Sequence, residues 1–99
     1  MPIKVFVSLP MKNKSREAII TEQNALIQRA SEKLGEPVML VEAYFRELYS
    51  QKPLECLGEN LKRMAHAEYI IFADGWQNAR GCIAERFCAE NYDIPILEL

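Results

Sequence analysis

The sequence predicts one α/β domain in which a parallel sheet is covered by helices on both faces. Its 99 residues are enough for a single core and leave no room for a second domain. Short runs rich in β-branched and aromatic residues alternate with longer segments of helical period, the order typical of βαβ units. Residues 69–73 are apolar throughout and too few for a membrane span, which favours a central strand buried on both faces.

The first half of the chain contains two predicted strands and one helix. Residues 3–9 form a strand that stops at Pro10. Ser15 is a suitable N-cap for a helix whose apolar stripe runs to Leu34, and Gly35 is expected to end that helix. Residues 38–41 follow as a second short, buried strand. The first half is therefore expected to form one βαβ unit.

The second half adds two helices and two strands. Pro53 suits the first turn of the second helix, which also contains Gly58. A glycine inside a helix lowers its stability by about 1 kcal/mol relative to alanine. To explain a glycine at position 58, we favour close packing of the helix over a role facing the site. After the strand at residues 69–73, a third helix is expected over about 79–92 and a last strand over 94–97, where Pro95 suits a sheet edge.

The order of these elements predicts how the sheet is wound. Right-handed crossovers predict a three-layer fold with three helices and a four-stranded parallel sheet of order 2-1-3-4, a flavodoxin- or Rossmann-like arrangement. Strands one and three then flank the switch point at which open α/β sheets bind ligands. The predicted crevice therefore lies between the loops at residues 8–11 and 74–76.

Composition narrows the range of partners. Lys and Arg total 12 against 14 Asp and Glu, and no basic run occurs, which disfavours a nucleic-acid polymer. The first residues lack the pattern of a signal peptide, and no apolar run has the length of a membrane span. We expect a cytoplasmic protein without a membrane partner, for which free nucleosides or nucleotides remain candidate ligands.

Cofactor signatures are missing from the sequence. The three cysteines form no CxxC pair and are accompanied by one histidine, which argues against a disulfide framework and against a zinc site. Neither a GxGxxG motif nor a Walker loop is present, so dinucleotide binding and P-loop hydrolysis are disfavoured. No metal or redox cofactor is expected.

Glu85 is the main candidate for chemistry. At about 100° per residue it shares a face of the third helix with small, mostly apolar residues such as Cys82 and Ala89. If that face meets the sheet, partial desolvation should raise the pKa of Glu85, as acid/base or nucleophilic carboxylates require. A peripheral glutamate paired with a cation is an equally weighted alternative.

The turn after the third strand adds polar and aromatic groups. Asp74-Gly75 suits a simple turn, and Trp76 either stacks on a base or sugar or plugs the core. Asn78 or Gln77 is expected to cap the third helix, whose free amides, together with Arg80, could hold a phosphate or carboxylate. These residues make the turn the second candidate for a site.

A second apolar stripe lies on the opposite side of the third helix. Ile83 and Phe87 form it, flanked by charged residues. One stripe can pack on the sheet, and the other then needs a partner, which a symmetric homo-oligomer would provide. We therefore expect a dimer or a higher homo-oligomer.

Three groups of motifs are distributed along the chain: Ser8-Leu9-Pro10-Met11, Lys52-Pro53-Leu54 with Leu57-Gly58, and Asp74-Gly75-Trp76 followed by Ala79-Arg80-Gly81-Cys82 and Glu85. Together they resemble a small bacterial and phage family of unknown function, and the resemblance covers nearly the whole chain. That family in turn is similar to the nucleoside 2-deoxyribosyltransferases and the deoxynucleoside monophosphate N-glycosidases. The second likeness rests on the first-strand loop, the spacing from Gly81 to Glu85 and the final Ile94-Pro95-Ile96 strand. It implies a compact parallel-sheet fold and oligomers.

The resemblance also implies an activity. In the transferases the glutamate that matches Glu85 attacks the anomeric carbon, and a second base or water resolves the glycosyl-enzyme intermediate. This chain would then be an N-glycosidic-bond hydrolase or transferase for a nucleoside, deoxynucleoside or nucleotide. Glu85 would be the nucleophile, and Asp74 an acid, base or hydroxyl ligand. The substrate-binding residues would be Ser8, Pro10, Met11, Tyr44, Gly75, Trp76, Asn78, Arg80 and Gly81.

The alternative is a non-catalytic domain of the same fold that binds or senses a nucleotide. Leu9 stands where the family usually has glycine and would narrow the sugar pocket. Ala79 stands where an acidic residue is expected shortly before Gly81. A third interpretation is a purely interacting subunit that uses Ile83 and Phe87, with Glu85 paired outside a filled crevice.

Overall fold

The computed structural model describes residues 1–42 and 52–99. Its elements follow in the order β1 (Ile3–Ser8), α1 (Arg16–Leu34), β2 (Val38–Val41), α2 (Pro53–Met64), β3 (Tyr69–Phe72) and α3 (Arg80–Asn91), with a 3₁₀ turn at Trp76–Asn78 between β3 and α3. The three strands are parallel, and their order in the sheet is β2-β1-β3. The predicted α/β class, with a parallel sheet and three helices, is confirmed.

Local signals set the ends of α1 and α2. The Ser15 hydroxyl accepts a 3.1 Å hydrogen bond from the backbone N–H of Ala18, which satisfies one of the free amides of the first turn. Gly35 has a φ of 69°, a left-handed conformation open to glycine, and its N–H donates to the Ser31 carbonyl at 2.8 Å. Pro53 is the first residue of α2. Both predicted ends of α1 and the predicted start of α2 are confirmed.

The alternation of side chains along β1 divides the core between the two faces of the sheet. Val5 and Val7 pack with Ile19 and Ala30 of α1 on one face. On the other face, the core cluster consists of Phe6, Ile70, Met64 of α2 and Ala89 of α3. Helix α1 therefore covers one face, while α2 and α3 cover the other, as three-layer α/β packing requires.

A four-stranded sheet is not confirmed. Where the last strand is expected, the chain forms a single parallel bridge between Ile70 and Ile96. The Ile70 N–H donates to the Pro95 carbonyl at 3.0 Å, and the Leu97 N–H donates to the Ile70 carbonyl at 2.9 Å. Pro95 has no N–H of its own to extend this ladder, which limits the length of any strand built around it.

Close packing at Gly58 is not observed among the residues that the structure describes. A Cβ atom added there would have no heavy atom within 4 Å among the residues that the structure describes. Gly58 is therefore not required by its surroundings in α2. None of the helices in these two ranges combines the length and the apolar character that crossing a membrane requires.

Candidate active site at the carboxyl ends of β1 and β3

The site lies where the winding of the sheet reverses. Because β1 lies between β2 and β3, the connections that leave β1 and β3 diverge at the carboxyl ends of these strands, the position at which open α/β sheets bind ligands. The Ala73 N–H donates to the Ser8 carbonyl at 2.9 Å, and a Cβ added at Gly75 would lie 3.8 Å from Cγ of Pro10. The two loops predicted to flank a ligand thus lie side by side.

A buried serine and a buried glutamate meet at this edge. Ser8 is the last residue of β1 and lies on the same face as Phe6, towards α3. Glu85 lies one turn before Ala89, the α3 residue that packs in the Phe6 cluster. The Ser8 Oγ donates a 2.5 Å hydrogen bond to Oε1 of Glu85, and the two residues are only 1 % and 6 % exposed. The structure therefore joins two residues that the sequence placed separately in the site.

Burial shapes the acidity of Glu85. Desolvation disfavours the charged form and raises the pKa of Glu85 to about 6, while the Ser8 hydrogen bond acts in the opposite direction. The expectation that this face of α3 is partly desolvated, with a raised pKa for Glu85, is confirmed. The carboxylate is thus ionised at neutral pH yet close enough to titration to exchange a proton.

The two carboxylate oxygens of Glu85 have different surroundings. Ser8 bonds to Oε1, and no described residue donates a hydrogen bond to Oε2. In the described part of the chain no buried side-chain oxygen or nitrogen is left without a partner. It follows that Oε2 retains contact with solvent. The carboxylate is therefore anchored through Oε1, while Oε2 keeps some contact with solvent in a residue that is 6 % exposed.

Cys82 lies on the same buried face of α3. Burial raises the pKa of the Cys82 thiol, and the nearby Glu85 carboxylate raises it further, whereas Ser8 and Lys14 oppose the shift. The thiol consequently stays protonated at neutral pH, where it is a poor nucleophile. Lys14, in the loop after β1, forms a 3.0 Å ion pair with Glu22 of α1.

The Trp76 ring is held by an arginine that sequence reasoning did not assign to the site. The Arg86 guanidinium lies over the rings of Phe72 and Trp76, at 5.1 and 4.6 Å from their centroids. Its Nη2 is also 3.2 Å from Oε1 of Glu98 in the C-terminal segment. Positions 72 and 76 contain aromatics, but no spacing signal indicates that a long side chain from the next helix lies across them.

The other proposed site residues are distributed around this centre. Asp74 is exposed in the turn, and no described contact joins it to Ser8 or Glu85. Asn78 belongs to the 3₁₀ turn, and α3 has Ala79 as its N-cap without a side-chain hydrogen bond, so the predicted capping by Asn78 or Gln77 is wrong. Arg80 is exposed at the first position of α3, ahead of the half-buried Gly81.

The first loop differs from expectation at one point. Leu9 packs with Val5, Val7 and Ile19 in the core cluster beneath α1, on the face opposite to Ser8 and Glu85. A narrowing of the sugar pocket by its side chain is therefore not observed. Met11 is half-buried between the two core clusters. Tyr44 lies outside the described residues.

The fold and this site define an α/β protein with a buried serine-glutamate pair at the carboxyl edge of a parallel sheet. Within residues 1–42 and 52–99, no three His, Cys, Asp or Glu side chains are grouped to hold a metal ion. Compared with protein families, curated proteins and solved structures, the chain shows no match. The interpretation of the site therefore depends on its geometry.

Proposed function

We propose that the protein is an N-glycosidic-bond hydrolase or transferase that acts on a nucleoside, deoxynucleoside or nucleotide. The observation that carries the proposal is the Ser8–Glu85 pair at the carboxyl edge of the sheet, at 2.5 Å, with a pKa of about 6 at Glu85. A desolvated carboxylate with one anchored and one accessible oxygen has the properties of a glycosyl acceptor. The resemblance to the deoxyribosyltransferases agrees with this assignment.

The reaction follows from the two oxygens of the carboxylate. Oε2 of Glu85 attacks the anomeric carbon, the C–N bond breaks, and the base leaves with the bonding electron pair and takes up a proton. Ser8 holds Oε1 and thereby fixes the orientation of the attacking oxygen. Water or the nitrogen of a second base then attacks the same carbon and gives up a proton to solvent or to the Asp74 carboxylate, while the bond between the carbon and Oε2 breaks; this releases Glu85 as a carboxylate and completes hydrolysis or transfer.

The surrounding residues have the roles that the resemblance suggests. Asp74 protonates the leaving base or binds a sugar hydroxyl, and Arg80 with the first amides of α3 binds a phosphate where the substrate has one. The aromatic ring of Trp76 stacks on the base with the face that Arg86 does not cover. Pro10, Met11, Tyr44, Gly75, Asn78 and Gly81 complete the substrate contacts.

The finer features of the fold belong to the same proposal. The parallel bridge at Ile96 supports a fourth strand that would extend the sheet to the flavodoxin- or Rossmann-like order 2-1-3-4. We also propose a cytoplasmic protein whose partners are small molecules and further copies of itself. The exposed side chains of Ile83 and Phe87 support self-association.

The test is a turnover assay with purified protein and a panel of nucleosides, deoxynucleosides and their monophosphates. We expect free base, or base exchange when a second base is added, and we expect it to disappear in Glu85→Ala. Glu32→Gln, an exposed carboxylate on the opposite face of the sheet, is the matched control and should retain turnover. No turnover on any member of the panel would contradict the proposal.

The second candidate is nucleotide binding or sensing without catalysis. The observation that favours it is Ala79, which supplies no acid at the start of α3. This candidate predicts that a nucleotide raises the melting temperature without being consumed, because a ligand that binds only the folded state increases its stability. A ligand that is both stabilising and cleaved would rule it out.

A further inference from the structure

The outer side of α3 is exposed and partly apolar. Four residues at spacing 3-4-3 form what we call the outer seam: Arg80, Ile83, Phe87 and Glu90. Ile83 and Phe87 are 47 % and 64 % exposed, whereas Cys82, Glu85 and Ala89 on the inner side are buried. The 3-4-3 spacing places the four seam residues along one stripe of the helix, the pattern by which helices pack against each other.

The charges at the two ends of the outer seam oppose the dipole of their own helix. Arg80 stands in the first turn, next to the positive end of the helix dipole, and Glu90 stands in the last turn, next to the negative end. Neither forms an ion pair with any residue that the structure describes. Each charge is thus placed unfavourably within the isolated chain.

An antiparallel second copy of α3 would correct both placements. The seam is symmetric about the level of Glu85, because Arg80 and Glu90 lie five residues on either side of it, and Ile83 and Phe87 lie two residues on either side. A two-fold axis there brings Arg80 against Glu90 of the second copy and Ile83 against Phe87 of the second copy. Each charge would also lie beside the end of the neighbouring helix whose dipole favours it.

We propose that the protein forms a two-fold symmetric homodimer by antiparallel packing of α3 on α3 along the outer seam. This inference gives the surface and the register for the self-association that is part of the proposed function. It requires no catalysis, because Ile83 and Phe87, the apolar centre of the seam, lie on the side of α3 opposite to Glu85 and have no role in the proposed site; Arg80 is the one seam residue that belongs to both proposals. A failed turnover assay and a failed dimer are therefore separate results.

The size of the surface sets the strength of the dimer. From Arg80 to Glu90, α3 spans about 16 Å at 1.5 Å per residue. A contact between two helices over this length is expected to bury less than the roughly 1,000 Å² of a stable complex, so the dimer should depend on concentration. We expect a dissociation constant in the range of about 1 μM to about 1 mM.

Sedimentation velocity across that range tests the dimer. The wild type should shift with concentration from 11.4 kDa towards twice that mass. Phe87→Glu and Ile83→Glu should each remain monomeric throughout, with an unchanged circular dichroism spectrum because both side chains are exposed. Ile20→Glu is the matched control, an exposed isoleucine of α1 on the other face of the sheet, and it should dimerise like the wild type. A monomeric wild type, or equal loss in the control, would overturn the proposal.

Charge reversal tests the antiparallel register. Arg80→Glu alone places like charges against each other at two symmetric positions and should weaken the dimer by about tenfold at low salt. Glu90→Arg alone should do the same, and the double variant should restore the dimer by exchanging the two charges. The single-variant effects should shrink at high salt because the pairs are exposed. A double variant as weak as the single variants would exclude this register.

Discussion

The Ser8 hydroxyl donates a 2.5 Å hydrogen bond to the Glu85 carboxylate, across a sequence separation of 77 residues. This contact connects the carboxyl end of β1 with the second turn of α3. Burial and hydrogen bonding have opposite effects on the carboxylate, and the pKa of Glu85 remains raised because desolvation is the larger of the two. The pair therefore carries a stability cost that depends on pH.

Glu85→Gln should stabilise the protein at neutral pH. A carboxyl group whose pKa rises from 4.5 to about 6 on folding binds more protons in the folded state, so its contribution is favourable below pH 4.5 and is lost as pH rises through 6. That loss amounts to about 2 kcal/mol above pH 7, and the neutral amide avoids it while still accepting from Ser8. Urea unfolding at pH 4 and pH 8 should show a gain only at pH 8.

The control for this measurement is Glu32→Gln, which changes an exposed carboxylate and should leave stability nearly unchanged at both pH values. A Glu85→Gln variant less stable than the wild type at pH 8 would contradict a desolvated charge at this position. If the variant is both more stable and inactive, the carboxylate is retained at the expense of stability, as is common for functional groups.

Ser8→Ala should destabilise the protein, and more so at high pH. The buried carboxylate loses its donor, which costs about 1.5–3 kcal/mol for a hydrogen bond to a charged group. The pKa of Glu85 should also rise further, because the hydrogen bond that opposes desolvation is gone. Unfolding free energies at pH 5 and pH 8, with a carbon-13 NMR titration of the Glu85 carboxyl, measure both effects.

Ser31→Ala provides the comparison for Ser8→Ala. The Ser31 hydroxyl donates to the Glu36 carbonyl at 2.8 Å, a group that does not titrate, so its loss should have the same small effect at both pH values. Equal pH profiles for the two serine variants would show that Ser8 does not act through the ionised form of Glu85.

The elements with local signals could be predicted from the sequence, because the signals act within a few residues. Ser15, Gly35 and Pro53 determine where helices begin or end through their own side chains or backbone freedom. The buried side of α3 could be predicted from the helical period, since Cys82, Glu85 and Ala89 are spaced three and four residues apart. These features require no knowledge of the tertiary fold.

The features that depend on two distant elements could not be predicted in the same way. Ser8 was expected in the site, but its bond to Glu85 depends on strand parity combined with the position of α3 over that face. Apolar residues at 94–97 indicate burial, whereas the extent of pairing depends on N–H groups, which Pro95 lacks. The long side chain of Arg86 can either extend into solvent or lie over the Trp76 ring, and which of the two it does depends on tertiary packing.

Arg86→Met should loosen the Trp76 ring while preserving the length of the side chain. The variant loses the cation–π contacts with Trp76 and Phe72, each of about 0.5–1 kcal/mol at a partly exposed site. Trp76 is the single tryptophan of the chain, so its fluorescence reports directly on this position. We expect a red-shifted emission maximum and easier quenching by acrylamide.

The ion pair of Arg86 needs a separate control. Glu98→Gln removes the negative charge from the 3.2 Å pair with Nη2, and Glu98 is largely exposed, so the change in stability should stay below about 1 kcal/mol with unchanged fluorescence. If Glu98→Gln shifts the emission as much as Arg86→Met, the arginine is held by the carboxylate and the rings contribute little.

Gly58→Ala should stabilise the protein. Gly58 lies in the interior of α2, and an added Cβ meets no described heavy atom within 4 Å, so the gain in helix propensity is not offset by a clash. We expect about 0.5–1 kcal/mol of added stability from the reduced entropy of the unfolded chain.

Gly75→Ala is the contrasting variant, because Gly75 has a φ of 87° that an L side chain rarely adopts, and it should lose about 1 kcal/mol or more. Urea unfolding of the two variants should therefore give shifts of opposite sign, and a destabilised Gly58→Ala would show that this position of α2 is packed against another part of the chain.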